Sequence, residues 1–143
     1  MNKLEDTLMD LQCELVAERN RRNPQNISWL QYDILRLLKS ENKIVPSKIN
    51  LLLGVSRTKL SKALKELKLM SYIQQKPSER DGRELLTILT ESGRQLLEDI
   101  DKGHHQLHHV AELAFSREER EQFAQLAEKY SRALRSERLG SYE

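Results

Sequence analysis

With 143 residues, 25 of them leucine, the chain is long enough for one domain with a core and too apolar to be disordered. Charged residues are 32% against 38% hydrophobic, which suits long helices with one solvated face, and no apolar run nears the ~20 residues of a membrane span. The net charge of +2 conceals a split: residues 28–94 carry 13 Lys/Arg against 7 Asp/Glu, a net of +6, and the flanks 11 against 15, a net of −4, so a polyanionic partner is expected for the middle alone.

The opening segment, MNKLEDTLMD, has acids where a signal peptide carries bases. The one cysteine, Cys13, excludes an internal disulfide framework. A cytoplasmic protein without a membrane partner is expected. Leu4, Leu8, Leu11 and Leu15 recur at helical spacing and predict a first helix of about twenty residues. RNRRNPQN ends it as a loop, and Ser28-Trp-Leu-Gln31 opens the second helix as a capping box. Trp29, Leu30, Ile34, Leu35, Leu37 and Leu38 give that helix a broad apolar side. Pro46 starts a short helix through Leu53, which Gly54 ends.

Ser56 caps the next helix, predicted to run to about Leu69. Leu60, Ala63, Leu64 and Leu67 fall on one side; Thr58, Ser61, Lys62 and Lys65 fall on the other, flanked by Arg57 and Lys59. Two short strands, Tyr72 to Lys76 and Glu84 to Leu89, enclose a charged tip with Arg80, Asp81 and Arg83. Thr90 caps a long helix with the stripe Leu96, Leu97, Ile100, Leu107, Val110, Ala111 and Ala114. Ser116 to Glu119 is a second capping box, and the last helix is expected to bury Phe123, Leu126, Ala127, Tyr130 and Leu134.

Two helices joined by a tight turn at Gly54-Val55, the second basic on its outer face, read as a helix-turn-helix. Arg and Lys suit guanine edges and phosphates, hydroxyls suit either, and Ser56 with the first amides of the helix suits one phosphate. The hairpin that follows reads as a wing, with Lys76, Arg80 and Arg83 placed for phosphates or a narrow minor groove. The plain alternative for each set is a solvated basic face and a hairpin-tip ion pair in solvent. The fold class is therefore mainly α with a small β-hairpin wing.

From Ser28 to Gly93 the chain resembles the multiple antibiotic resistance regulator (MarR) family of winged helix-turn-helix proteins. Gln31 in WLQYDILRLL, the segment LLLGVSRTKLSKALKEL, and Asp81-Gly-Arg83 followed by Leu89-Thr90 and Gly93 carry the resemblance. Asn50, Ser71 and Gln75 depart from the family's pattern. The resemblance implies a single domain over 1–143, with a DNA-binding region at 28–94 and N- and C-terminal dimerisation helices at 1–27 and 95–143. It implies an obligate homodimer on double-stranded DNA with an inverted-repeat operator, and repression as the default mechanism. The recognition helix, about 56–69, would enter the major groove and the wing, 76–84, the minor groove through Arg83, with Asp81 orienting an arginine. A winged-helix protein-interaction or architectural adaptor is the alternative.

No cofactor is required on this reading, and three candidate sensors remain. His104, His105, His108 and His109 pair at i,i+4, a Zn²⁺-compatible spacing on a helix, against a plain polar surface or dimer seam. Cys13 is a redox candidate, against simple packing on an amphipathic helix. Trp29, Tyr32 and Tyr72 are candidates for lining a cleft for a small aromatic effector, against ordinary core residues. No P-loop, GxGxxG or HExxH motif occurs, so an enzyme is not expected.

Overall fold

The computed structural model describes residues 2–24, 26–79 and 85–140. Its helices are α1 (Lys3–Arg21), α2 (Trp29–Glu41), α3 (Pro46–Leu53), α4 (Arg57–Leu69), α5 (Glu91–Gly103), α6 (Gln106–Ala114) and α7 (Arg117–Leu139). The strands are β1 (Lys43–Ile44), β2 (Ile73–Pro77) and β3 (Leu85–Leu89). Most helix starts are local capping events. The side chains of Asn2, Ser28, Ser56, Thr90 and Ser116 each accept from the amide three residues on, and Ser28/Gln31 and Ser116/Glu119 form full capping boxes. The same bond from the Ser116 amide holds the exposed Glu119 carboxyl below its usual range. Gly54 ends α3 at φ 65, in the left-handed region where a Cβ is unfavourable.

The core sits under α4. Ile34, Leu35 and Leu38 of α2, Ile49 of α3, Leu60 and Leu67 of α4, Ile73 of β2, and Leu97 and Ile100 of α5 are essentially inaccessible. Each such aliphatic chain contributes about 1.5–3 kcal/mol relative to its exposed state. The sheet order is β1-β3-β2, all antiparallel, with Ile73 opposite Leu89, Pro77 opposite Leu85, and Ile44 opposite Thr87. β3 is thus the central strand, and Thr87, fully buried, takes a hydrogen bond from Gln75 Nε2 at 3.4 Å.

The turn between α4 and β2 fastens the layers together. Ser71 N donates to Lys68 O and Tyr72 N to Leu67 O, both at 3.0 Å, with Ser71 at φ 65. The carbonyls of Ser71 and Tyr72 are then taken by the start of α5. Thr90 Oγ1 (2.7 Å) and Ser92 Oγ (3.0 Å) donate to Ser71 O, and Thr90 N donates to Tyr72 O at 3.1 Å. Gly93 seats directly on this crossing: a Cβ there would overlap Tyr72 O and lie 2.8 Å from Leu89 Cδ1.

Three expectations are corrected, and one strand is new. The helix from Thr90 is not continuous: α5 ends at Gly103, and His104 (φ −124, ψ 52) and His105 interrupt it before α6. Glycine weakens the helix there, and the His104 ring bonds Ile100 O through Nδ1 (2.8 Å) and packs edge-on against Trp29, 5.6 Å between centroids. The last helix does not bury its stripe, since Phe123, Leu126, Tyr130 and Leu134 are 42–65% exposed in the single chain. The first wing strand begins at Ile73 and not Tyr72, and runs to Pro77; Glu84, the expected start of the second, lies outside the described residues. β1 was not foreseen, being two residues long and thus too short for any periodicity.

Replacing Gly93 by Ala is expected to destabilise the fold by about 1–3 kcal/mol, because a backbone carbonyl must move. Ser71→Gly should stabilise it by up to about 1 kcal/mol by relieving a left-handed non-glycine. Urea midpoints check both signs.

Candidate nucleic-acid interface

α4 separates its chemistry by face. Leu60, Ala63, Leu64 and Leu67 are buried, while Arg57, Thr58, Lys59, Ser61, Lys62 and Lys65 are all exposed. Among the described residues none of these cations lies within ion-pair distance of a carboxylate. Ser56 Oγ accepts from Lys59 N at 3.2 Å, which leaves its own O–H free to donate. The result is a row of donors on one helix face with no carboxylate among the described residues paired to its cations.

Two polar braces set the pose of that helix. Gln31 is only 4% exposed; its Oε1 accepts from Ser28 N (2.9 Å), and its Nε2 donates to Glu66 Oε2 (3.0 Å) and Ala63 O (3.4 Å). One side chain therefore caps α2 and grips α4. In the turn, Asn50 Nδ2 donates to Val55 O at 2.9 Å. This explains a polar residue at 50: it supplies a donor to a turn carbonyl. Ser71 and Gln75, the other departures, serve the α4–β2 turn and the buried Thr87 hydroxyl.

On the wing, Lys76 is exposed on β2 opposite Leu86. Arg80, Asp81 and Arg83 lie outside the described residues.

A family model described as "Transcriptional regulator SarA/Rot" matches residues 21–100. The transcriptional repressor MprA of Escherichia coli (strain K12) is 31% identical over 124 residues, 85% of this chain and 70% of that protein. The chain belongs to the MarR family of transcriptional regulators. Its relatives are regulators and not enzymes. Apo MarR from E. coli shares the fold with a TM-score of 0.73 at 20% identity, over 91% of this chain and 96% of that one. A MarR mutant complexed with operator DNA gives 0.63 at 19% identity, over 90% and 99%. BpsR of Bordetella bronchiseptica, whose DNA binding is regulated by 6-hydroxynicotinic acid, gives 0.70 at 18% identity, over 91% and 99%.

Away from the basic face of α4, the candidate sensors separate. Trp29 and Tyr32 meet edge to face, 5.3 Å between centroids, in a cleft of about 690 Å³ between α1, α2 and the α5–α6 break. Trp29 Nε1 donates to Arg19 O and Arg22 O, both at 2.9 Å, and the Arg19 guanidinium lies 5.0 Å from the Trp29 ring centre. Arg19 also holds Asp33 bidentately at 2.7 and 2.9 Å, which raises its pKa further. Tyr32 Oη donates to Asp101 Oδ1 at 2.6 Å, and Arg36 stands 3.7 Å from the other carboxylate oxygen. Sequence reasoning did not bring Arg19, Arg36 and Asp101 to this cleft, because they come from three helices.

Tyr72 is not in this cleft. It sits at the α4–β2 turn against the core, where the reversal at Ser71 carries it. The four histidines do not converge either. With the helix broken at 104–105, the His104 ring faces Ile100 O and Trp29, whereas His108 Nε2 lies 3.1 Å from Glu112 Oε1. Among the described residues no three His, Cys, Asp or Glu side chains form a metal-holding group. Cys13 is exposed on α1.

Burial and then the bond to Asp101 raise the Tyr32 pKa above the usual 10.0. Because the folded value is the higher one, its stabilisation is complete below pH 10 and lost as pH rises through the folded value. The stability deficit of Tyr32→Phe is therefore expected to shrink above about pH 10, which urea melts of both proteins across that range would check.

Proposed function

We propose that the chain is a homodimeric, sequence-specific DNA-binding regulator that represses by occupying an inverted-repeat operator, and that a small effector releases or modulates it. The observation that carries this reading is the exposed row from Arg57 to Lys65, free of carboxylates among the described residues and braced by Gln31. α4 would lie in the major groove, with Ser56, Arg57, Thr58, Lys59, Ser61, Lys62 and Lys65 at base edges and phosphates. Lys76, Arg80 and Arg83 of the wing would meet the minor groove, with Asp81 orienting an arginine. MarR complexed with operator DNA supports the mode by likeness of fold.

The dimer reading is supported by the flanks, residues 1–27 and 95–143. α1, α6 and α7 have no buried residue, yet they display Leu11, Leu15, Leu107, Val110, Leu113, Phe123 and Leu126, all 40–75% exposed. So much apolar surface on a soluble chain marks an interface. A two-fold dimer would place its half-sites about one helical turn, ~34 Å, apart. For the effector, the Trp29–Tyr32 cleft has the size of a small-molecule site and offers two rings rimmed by guanidinium groups. BpsR, which answers to an aromatic acid, supports that class of ligand.

Selection of duplexes from random fragments at two salt concentrations tests the reading. An enriched inverted repeat that survives the higher salt is expected; binding without enrichment, lost at higher salt, would replace it with the adaptor reading. Changing Lys62 and Arg83 together to Ala should abolish duplex binding while sedimentation still shows a dimer. Unchanged affinity would remove those two residues from the interface.

A further inference from the structure

Arg138 lies near the end of α7, far along the chain from the reading helix, yet it reaches the turn that precedes it. Its Nε donates to Leu52 O at 3.1 Å, satisfying a carbonyl left open at the end of α3. Two further ties hold this end of α7 in place: Arg135 pairs with Glu41 at 3.0 Å, and Leu139 packs against the core. The bond to Leu52 uses Nε alone. Among the described residues no carboxylate lies within ion-pair distance of the guanidinium.

Arg138 lines one groove with Ser47, Asn50, Gly54, Ser56 and Arg57, of about 620 Å³ and without an acidic residue in its lining. The groove therefore shares Ser56 and Arg57 with the exposed face of α4. Two guanidinium side chains share it with no counter-charge, an arrangement that favours an anion between them. Arginine matches phosphate oxygens through paired N–H groups.

We infer that Arg138 is a DNA-backbone contact, holding a phosphate beside the one at Arg57; this rests on the proposed role of α4. Such a contact positions the duplex without reading its sequence. It also makes one residue of a flanking helix part of the DNA interface, so the helix that carries the candidate dimer stripe touches the operator directly.

The test is the dependence of affinity on salt for the full-length protein and for Arg138→Gln, which keeps a donor for Leu52 O but loses the charge. The expected result is a several-fold loss of affinity, similar on operator and random duplexes, with a log–log salt slope shallower by about 0.9 per protomer bound. Circular dichroism and sedimentation should match the parent. An equal slope overturns the inference, whether Arg138 only caps α3 or the groove holds a free phosphate ion. A parent that binds no duplex overturns the reading beneath it instead. Should the Gln variant fail to fold, phenylglyoxal footprinting of the parent decides: Arg138 is protected by DNA together with Arg57, and protection of Arg57 alone refutes the contact.

Discussion

The pose of the basic helix depends on one backbone crossing. α4 ends at Leu69, the chain reverses through Ser71 in the left-handed region, and the next two carbonyls meet the first turn of α5. Gly93 permits that approach because it has no side chain to place there. α4, β2 and α5 are thereby pinned at one point. The Leu89-Thr90…Gly93 signature is the sequence form of this knot: Thr90 caps α5 and ties off the turn, and Gly93 clears the space.

The middle of α4 is held by hydrogen bonding. Gln31 joins the first turn of α2 to Ala63 and Glu66. An unpaired buried amide would cost about 1–3 kcal/mol, so the pair strongly specifies how α2 and α4 meet. The same helix carries Trp29 and Tyr32 on the side of the cleft. A single element thus touches both the basic helix α4 and the candidate effector cleft, which gives any shift of α2 a direct route to α4.

The chain is divided energetically as it is electrically. The middle has an apolar core, a sheet and satisfied polar groups, with no buried side-chain donor or acceptor left without a partner among the described residues. In the flanks, α1, α6 and α7 are amphipathic helices whose apolar stripes face outward in the single chain, whereas the stripe of α5 is buried. The flanks return to the middle at a few places: Arg19 of α1 on Asp33, Leu97 and Ile100 of α5 in the core with Asp101 on Tyr32, and the tail end of α7 through Arg135, Arg138 and Leu139. The charges follow the same division, with cations concentrated in the middle and acids in the flanks.

Much of this was legible from residues alone, because the signals are short-range. Caps at Ser28, Ser56, Thr90 and Ser116 are bonds across three residues, the reversal at Gly54 is one residue's φ, and the two faces of α4 follow from its period. The break at His104 escaped the same reading, because Gly103 only weakens a helix and the packing of the His104 ring on Trp29 of another helix is not visible locally. Burial of the α7 stripe was likewise read from periodicity, which reports that a face is apolar and not what covers it. By itself the sequence determined the helices, the turn, the wing and the basic face, all products of neighbours along the chain. Tertiary structure alone decided that Gln31 meets Glu66, that Tyr32 meets Asp101 and that Arg138 reaches Leu52, across separations of 35, 69 and 86 residues. No local pattern encodes such contacts; they exist only once the core has brought the helices together.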